Sequence, residues 1–239
     1  MLLQIYLITN KKKCIDFNYS MGGENLKNET CVKDLGVWLT STLSFSKHIR
    51  HTVSKSMQML GFIKRSCKSF TQINVLRSLY ISLVRSQLEY CCQIWSPHHT
   101  FLIHQIEVVQ RKFLRFLCFK AHVDFNSLSY AETCKYFNLP SLEHRRLFLD
   151  GVFLFKCVNS VFDCPYLVEQ MCFLIPGRNL RSTRSTQFYC QRSRLNVRKY
   201  SILNRIQSDF SSFDIVSVSD MFYLSLNTFK ARLKNVYYR

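Results

Sequence analysis

Apolar residues change their spacing along the chain, and the change marks where strands should give way to helices. Val32, Leu35, Val37, Trp38 and Leu39 form a short apolar ribbon that reads as a strand, in which Asp34 and Gly36 permit a tight bend or bulge. Ser44 or Ser46 can then cap a helix. From Ser46 the apolar positions Ile49, Val53, Met57, Leu60 and Ile63 recur every three or four residues, which is one helical face, while Lys47, Arg50, Lys55 and Lys64 fall largely off it. Lys68 to Thr71 breaks the pattern. Thr71 can cap a second helix, whose Val75, Leu79, Leu83 and Leu88 lead toward Trp95 until Ser96-Pro97 stops it. A third helix, about Phe101 to Leu117, buries Ile103, Ile106, Val109, Phe113 and Leu117 and presents Arg111, Lys112 and Arg115. Three amphipathic helices with short breaks make a small bundle.

Downstream, Ser129 and Glu132 have capping-box spacing and start a short helix that ends near Asn138-Leu-Pro140. Ser141 opens a longer one, SLEHRRLFLDGVFLFKCVNS. From Pro176 to Tyr200 there is no apolar period, and the stretch reads as an extended arm or loop. Helices near Ser201 to Phe210 and Ser219 to Tyr237 should pack back on the body. The fold class is therefore mainly α with a small amino-terminal β portion: a helical bundle followed by a further helical region. No internal repeat of fixed period is visible.

With 239 residues, 47% of them hydrophobic, the chain can bury one substantial core or two small ones. The formal charge of +18 is unevenly placed. By segment the net is +1 over residues 1–45, +10 over 46–120, −2 over 121–175, +8 over 176–205 and +1 over 206–239. Such a field attracts phosphate backbones or anionic lipid. No apolar run approaches the roughly 18 to 20 residues of a membrane span, and the lysines near the start follow the apolar stretch rather than preceding it, so a secretory signal is not expected. The expectation is a soluble intracellular protein of nucleus or cytoplasm, neither secreted nor membrane-bound.

The 11 cysteines are scattered, odd in number and without a CxxC pair, which argues against a secreted disulfide framework. Cys91, Cys92, His98, His99 and His104 form the one local cluster of metal-ligand types, but they lack paired zinc spacing and read more simply as buried thiols beside a surface histidine pair. No Asp-Asp or Asp-x-Asp pair, HExxH, phosphate-cradling glycine loop or GxSxG elbow is present, so no metal, cofactor or small-molecule substrate is expected. Binding remains. Lys47, Arg50, Lys55, Lys64, Arg65 and Lys68 lie on or beside one helix and make a plausible track for a nucleic-acid backbone; the bland alternative is a solvated helix face. Arg178, Arg181 and Arg184 recur every third residue in the basic arm. Most aromatics sit at helical core spacing, and Trp95 reads as a packed anchor.

Several separated blocks, in order, resemble one family. Lys13-Cys14 with Asp16 and Phe17 close by, VKDLGVWLTSTLSFSKHI, MLGFIKRSCKSF, LYISLVRSQLEYCCQIWSPHH, IEVVQRKFLRFL and LPSLEHRRLFLDGVFLFKCVNS are together similar to the carboxy-terminal part of reverse transcriptases from jockey-type non-LTR retrotransposons. The resemblance implies three regions: the end of a palm at 1–45, a thumb-like bundle at 46–120, and a post-thumb helical region at 121–239 with its basic arm at 176–200. It implies that Lys13 stands near the lysine of the strand after the active site, and that Leu35-Gly36-Val37 is the bend that grips a primer end. Arg85, Glu89, Tyr90 and Trp95 would orient helices, the first two as an i, i+4 pair. The family's metal-binding carboxylates would precede Asn10, so the resemblance implies a noncatalytic fragment of an RNA-directed DNA polymerase. Its expected partners are an RNA-DNA hybrid or other nucleic acid held by backbone contacts, and an intact protein of the same element. The competing readings are a structural or interaction module and the product of a decayed element without nucleic-acid function.

Overall fold

The computed structural model describes residues 4–6, 17–174, 187–190, 192–211 and 218–238. Lys13 and the arm residues Arg178, Arg181 and Arg184 lie outside them. The chain is mainly helical, with short strands near its amino terminus. It divides into two compact units, residues 1–91 with 99–109, and residues 92–98 with 110–239. These units cut across the segments expected from sequence, because residues 92–98 and the second half of the third long helix group with the carboxy-terminal region.

In the first unit, β1 (Gln4–Tyr6) pairs in parallel with β4 (Lys27–Glu29), and β2 (Ser20–Met21) pairs with β3 (Glu24–Asn25) across Gly22-Gly23. β5 (Cys31–Asp34) and β6 (Val37–Thr40) form an antiparallel hairpin in which Asp34 faces Val37. α1 (Ser46–Ser66) follows; of its expected face Ile49, Leu60 and Ile63 are fully buried, but Val53 and Met57 are only partly so, and Thr52 and Ser56 fill the middle of the buried stripe. Its N-cap is Phe45, whose side chain makes no capping bond, so neither Ser44 nor Ser46 plays the expected part. Instead Thr40 Oγ1 accepts from the Ser44 amide at 2.9 Å and donates to the Ser44 carbonyl at 2.8 Å, holding the approach to the helix.

The second expected helix is real but broken. It runs as α2 (Ile73–Tyr80), a π-helical turn over Ile81–Arg85, and α3 (Ser86–Glu89). Gln72, not Thr71, is its N-cap. The buried stripe is Leu76, Tyr80, Val84 and Leu88, so Val75 and Leu83, expected inside, lie on the surface. Ser82 and Ser86 hydroxyls bond back to carbonyls one turn earlier, a pattern that loosens helical winding. Cys91 takes a left-handed φ of 50° and stops the helix before Ser96-Pro97 is reached. Arg85 and Glu89 form the expected pair at 3.5 Å.

α4 (Cys92–Trp95) opens the second unit and seats Trp95 at 1% exposure, the anchor the sequence suggested. α5 (Thr100–Lys120) buries Ile106 and Val109 in the first unit and Phe113, Leu114 and Leu117 in the second, while Phe101 and Phe119 fall on its outer side and stay exposed. Tyr136, Tyr166, Phe222 and Tyr223 are likewise exposed, beside the aromatics that do fill the core. α6 (Tyr130–Tyr136) begins with the Ser129–Glu132 capping box, and α7 (Leu142–Val158) with Ser141, whose hydroxyl accepts from the His144 amide. α8 (Pro165–Glu169), β7 (Phe173–Leu174), β8 (Gln187–Phe188), α9 (Asn196–Lys199), α10 (Ile202–Ser211), α11 (Val218–Tyr223) and α12 (Leu226–Tyr237) complete the unit. Residues 187–200, expected as extended arm, thus carry a strand and one helical turn, because Phe188 enters the core at 4% exposure. The last expected helix is two, divided by Ser225, which caps α12 by accepting from the Thr228 amide.

α7 is the axis of this unit, with α10 and α12 packed against it. Phe155 meets Phe229 with ring centroids 4.5 Å apart, and Phe210 stacks on Phe229 at 6.3 Å. A Cβ placed on Gly151 of α7 would lie 3.0 Å from Leu233 Cδ1 of α12. Leu233 is itself 1% exposed, so it has nowhere to retreat. Gly151→Ala is expected to lower the melting temperature despite alanine's better helix propensity of about 1 kcal/mol. In a Leu233→Ala background the same change should be neutral or stabilising; thermal unfolding of the four proteins measures the coupling.

Candidate nucleic-acid interface

The turn of the β5–β6 hairpin is built from Leu35 and Gly36, at φ 42° and 87°. Two successive positive φ values match the turn type that suits strand twist in two-residue hairpins, and glycine occupies the second without penalty. The turn is covered by Tyr90: its hydroxyl donates to the Leu35 carbonyl at 3.0 Å, and a Cβ on Gly36 would approach Tyr90 Cε1 to 3.3 Å. Gly36 therefore serves a hairpin turn closed against the end of α3, while the Leu35 side chain stays 84% exposed.

β6 sets Trp38 at the start of α1. The ammonium groups of Lys47, on the first turn of α1, and Lys33, opposite Trp38 in the hairpin, lie over its ring at 4.5 and 5.9 Å. The ring of His51 meets Trp38 edge-on at 6.2 Å. His48, buried beneath, accepts from the Trp38 amide through Nδ1 at 3.4 Å, which leaves Nε2 to face Thr52 Oγ1 at 3.4 Å. Burial, the neighbouring His51 and Lys33 together push His48 down to about 4. It is neutral at pH 7 and keeps its acceptor.

Along α1 the exposed cations Lys47, Arg50, Lys55 and Arg65 stand away from the buried stripe, Lys64 is half-buried, and Lys68 is exposed just past the helix end. The helix contains no acidic residue. The six do not form one patch: Lys47, Arg50 and Lys55 occupy its first half and Lys64, Arg65 and Lys68 its far end, their centres roughly 22 Å apart along the axis. Arg65 folds back over Gly61, its Nη1 3.3 Å from where a Cβ would sit. Lys33, Trp38 and His51 join the first group and were not singled out from sequence; the signal available was the two-residue alternation that puts Lys33 across from Trp38.

The second unit has its own cations. Arg111 and Arg115 of α5 are exposed and rest over Tyr130 and Phe125 at 4.5 and 5.0 Å. No group of three or more metal-ligand side chains is gathered among the described residues, so Cys91, Cys92, His98, His99 and His104 make no metal centre there. Cys67, Cys92, Cys118, Cys134 and Cys157 are buried, and burial holds the Cys157 thiol up at about 11. No described helix is long and apolar enough to cross a membrane.

Two outcomes follow. Gly36→Ala strains a φ of 87° and crowds Tyr90, and it should cost roughly 1 to 2 kcal/mol in denaturant unfolding. His48 has a lowered folded-state pKa, so the unfolded chain binds more protons between pH 6.5 and 4 and the stability from neutral His48 is lost as pH falls through that window. The stability difference between wild type and His48→Gln should therefore shift against wild type from pH 7 to 4.5; other titrating groups cancel in the difference.

No family model and no solved structure matches the chain. Over 116 residues it is 26% identical to an uncharacterised protein of Caenorhabditis elegans, a match covering 48% of this chain and 57% of that relative. The matched region is thus a little over half of the relative's length, and that protein's name carries no activity.

Proposed function

We propose that the chain is a noncatalytic nucleic-acid-binding part of a non-LTR reverse transcriptase, the family its sequence resembles, and that it holds an RNA-DNA template-primer by its phosphates. The observation that carries this reading is the cationic first half of α1, Lys47, Arg50 and Lys55, on a helix free of carboxylates, with the Lys33–Trp38–Lys47 group at its start. Helix stability does not account for that face. Lys64 and Arg65 suit the negative carbonyl end of the helix, but Lys47 sits on the positive end, where no acid and no side-chain cap offset it. A cation there costs roughly 0.3 to 1 kcal/mol; the Trp38 ring offsets this without neutralising the charge, which stays available to an anion. A helix of 21 residues is about 30 Å long, enough to lie along several successive phosphates. In this role the Leu35-Gly36 turn, its backbone covered by Tyr90, meets a strand end through the exposed Leu35 side chain.

Binding to a labelled RNA-DNA hybrid at several salt concentrations tests the reading. The log–log slope should be steep, and Lys47→Ala, Arg50→Ala and Lys55→Ala together should flatten it by up to about three. An unchanged slope and affinity in a folded triple variant would leave α1 as a solvated face and return the chain to the interaction-module reading.

A further inference from the structure

A second surface, in the other compact unit, combines charge with an aromatic stack. His98 and Tyr200 lie face to face, centroids 3.8 Å apart and planes 5° from parallel. His98 is exposed and Tyr200 half-buried. Arg192, Arg194, Arg198 and Lys199, all exposed, precede Tyr200 in the chain, and the Lys199 ammonium lies 5.3 Å from the Tyr200 ring. The segment 176–205 itself contains no carboxylate.

Like charges this dense repel one another, so something must hold them in place. The structure shows what does. Arg205 of α10 is buried at 9% exposure; its Nη2 donates to the Gln93 carbonyl at 2.7 Å and meets Asp150 Oδ2 of α7 at 3.3 Å. Gln93 stands five residues before His98 and Arg205 five residues after Tyr200, so the clamp and the ring stack join the same two segments. Ser201 Oγ and Asn204 Nδ2 both donate to the Arg198 carbonyl at 2.8 Å, fastening the turn of α9 to α10. A buried charge pair thus fixes the one-turn helix that carries the cations.

We infer that the His98–Tyr200 stack with Arg194, Arg198 and Lys199 is a binding surface for single-stranded nucleic acid. A parallel ring pair with His98 exposed lets an unpaired base extend the column on the histidine side, and nearby cations meet the flanking phosphates. In a duplex the bases are already stacked on one another, so the platform selects single strands. This surface is distinct from the α1 face and does not depend on it. Arg205 and Asp150 act as positioning residues.

The test is fluorescence anisotropy with the full chain and a labelled single strand of about twelve nucleotides, a length within the usual site range, beside the RNA-DNA hybrid. Tyr200→Leu should weaken single-strand binding about tenfold, a typical loss for one stacking ring, while Tyr200→Phe keeps wild-type affinity. Arg194→Ala, Arg198→Ala and Lys199→Ala together should lower the single-strand salt slope by about two. Hybrid binding through α1 should survive both changes. The inference fails if single-strand affinity and slope are unmoved in these variants, or if Tyr200→Phe loses as much as Tyr200→Leu. Should circular dichroism show that Tyr200→Leu does not fold, the phenylalanine and triple-alanine variants decide. Failure of the α1 triple variant to alter hybrid binding is a separate result that counts against the first surface alone.

Discussion

A chain with 33 bases and 15 acids cannot pair its cations with carboxylates, and the way it meets that shortage organises the structure. Aromatic rings take the place of the missing acids. Lys33 and Lys47 lie over Trp38, Arg111 over Tyr130, Arg115 over Phe125, Arg145 over Phe148, Lys156 over Phe162 and Lys199 over Tyr200. Each such contact is worth about 0.5 to 1 kcal/mol when exposed. Unlike a salt bridge, it leaves the positive charge unneutralised. The cations are held in place by quadrupoles and the surface stays electropositive, which is the condition a polyanion-binding face requires.

One carboxylate is buried against a cation. Asp150 and Arg205 meet inside the second unit, where burial lifts the Asp150 carboxyl to about 7, Arg205 and Arg146 pull it down and Asp209 pushes it up. A pair like this adds little net stability once desolvation is counted, but removing one partner strands the other. Its value lies in direction: one guanidinium nitrogen, Arg205 Nη2, meets both the Asp150 carboxylate and the Gln93 carbonyl and so ties α7, α10 and residues 92–98 to one point. Gln110 does comparable work at 0% exposure, donating to the Pro140 carbonyl at 3.0 Å and the Tyr130 hydroxyl at 3.2 Å, which settles how the α6–α7 connection meets α5.

Much of the helical plan was legible because amphipathic spacing and capping chemistry are local. Ile49, Leu60 and Ile63 on the inner side of α1, the Ser129–Glu132 box, the Ser141 cap, the Arg85–Glu89 pair and the burial of Trp95 all follow from residues within a turn or two of one another. The misreadings share a cause. The stripe of α2 was read through Val75 and Leu83, yet the packed one is Leu76, Tyr80, Val84 and Leu88, because a sequence with apolar residues on adjacent positions offers two stripes and only the neighbouring elements choose. Helix ends at His122 and Ser160 were equally hidden. Both residues take left-handed φ, 55° and 52°, where glycine is the usual signal.

For the candidate interfaces the division is similar. Order and spacing alone determined that cations crowd onto residues 46–120 and 176–205, that α1 would show them to solvent, and that a tight turn would sit at Gly36. Tertiary structure alone decided that Trp38 gathers Lys33 and Lys47, that Tyr90 closes the turn 55 positions earlier, and that His98 stacks on Tyr200 while Arg205 reaches Gln93. Helical periodicity and capping are properties of a few successive residues, so they are written in the chain. A ring stack or a buried hydrogen bond between residues a hundred positions apart exists only once packing has brought them together, and no local pattern encodes which partner each will meet.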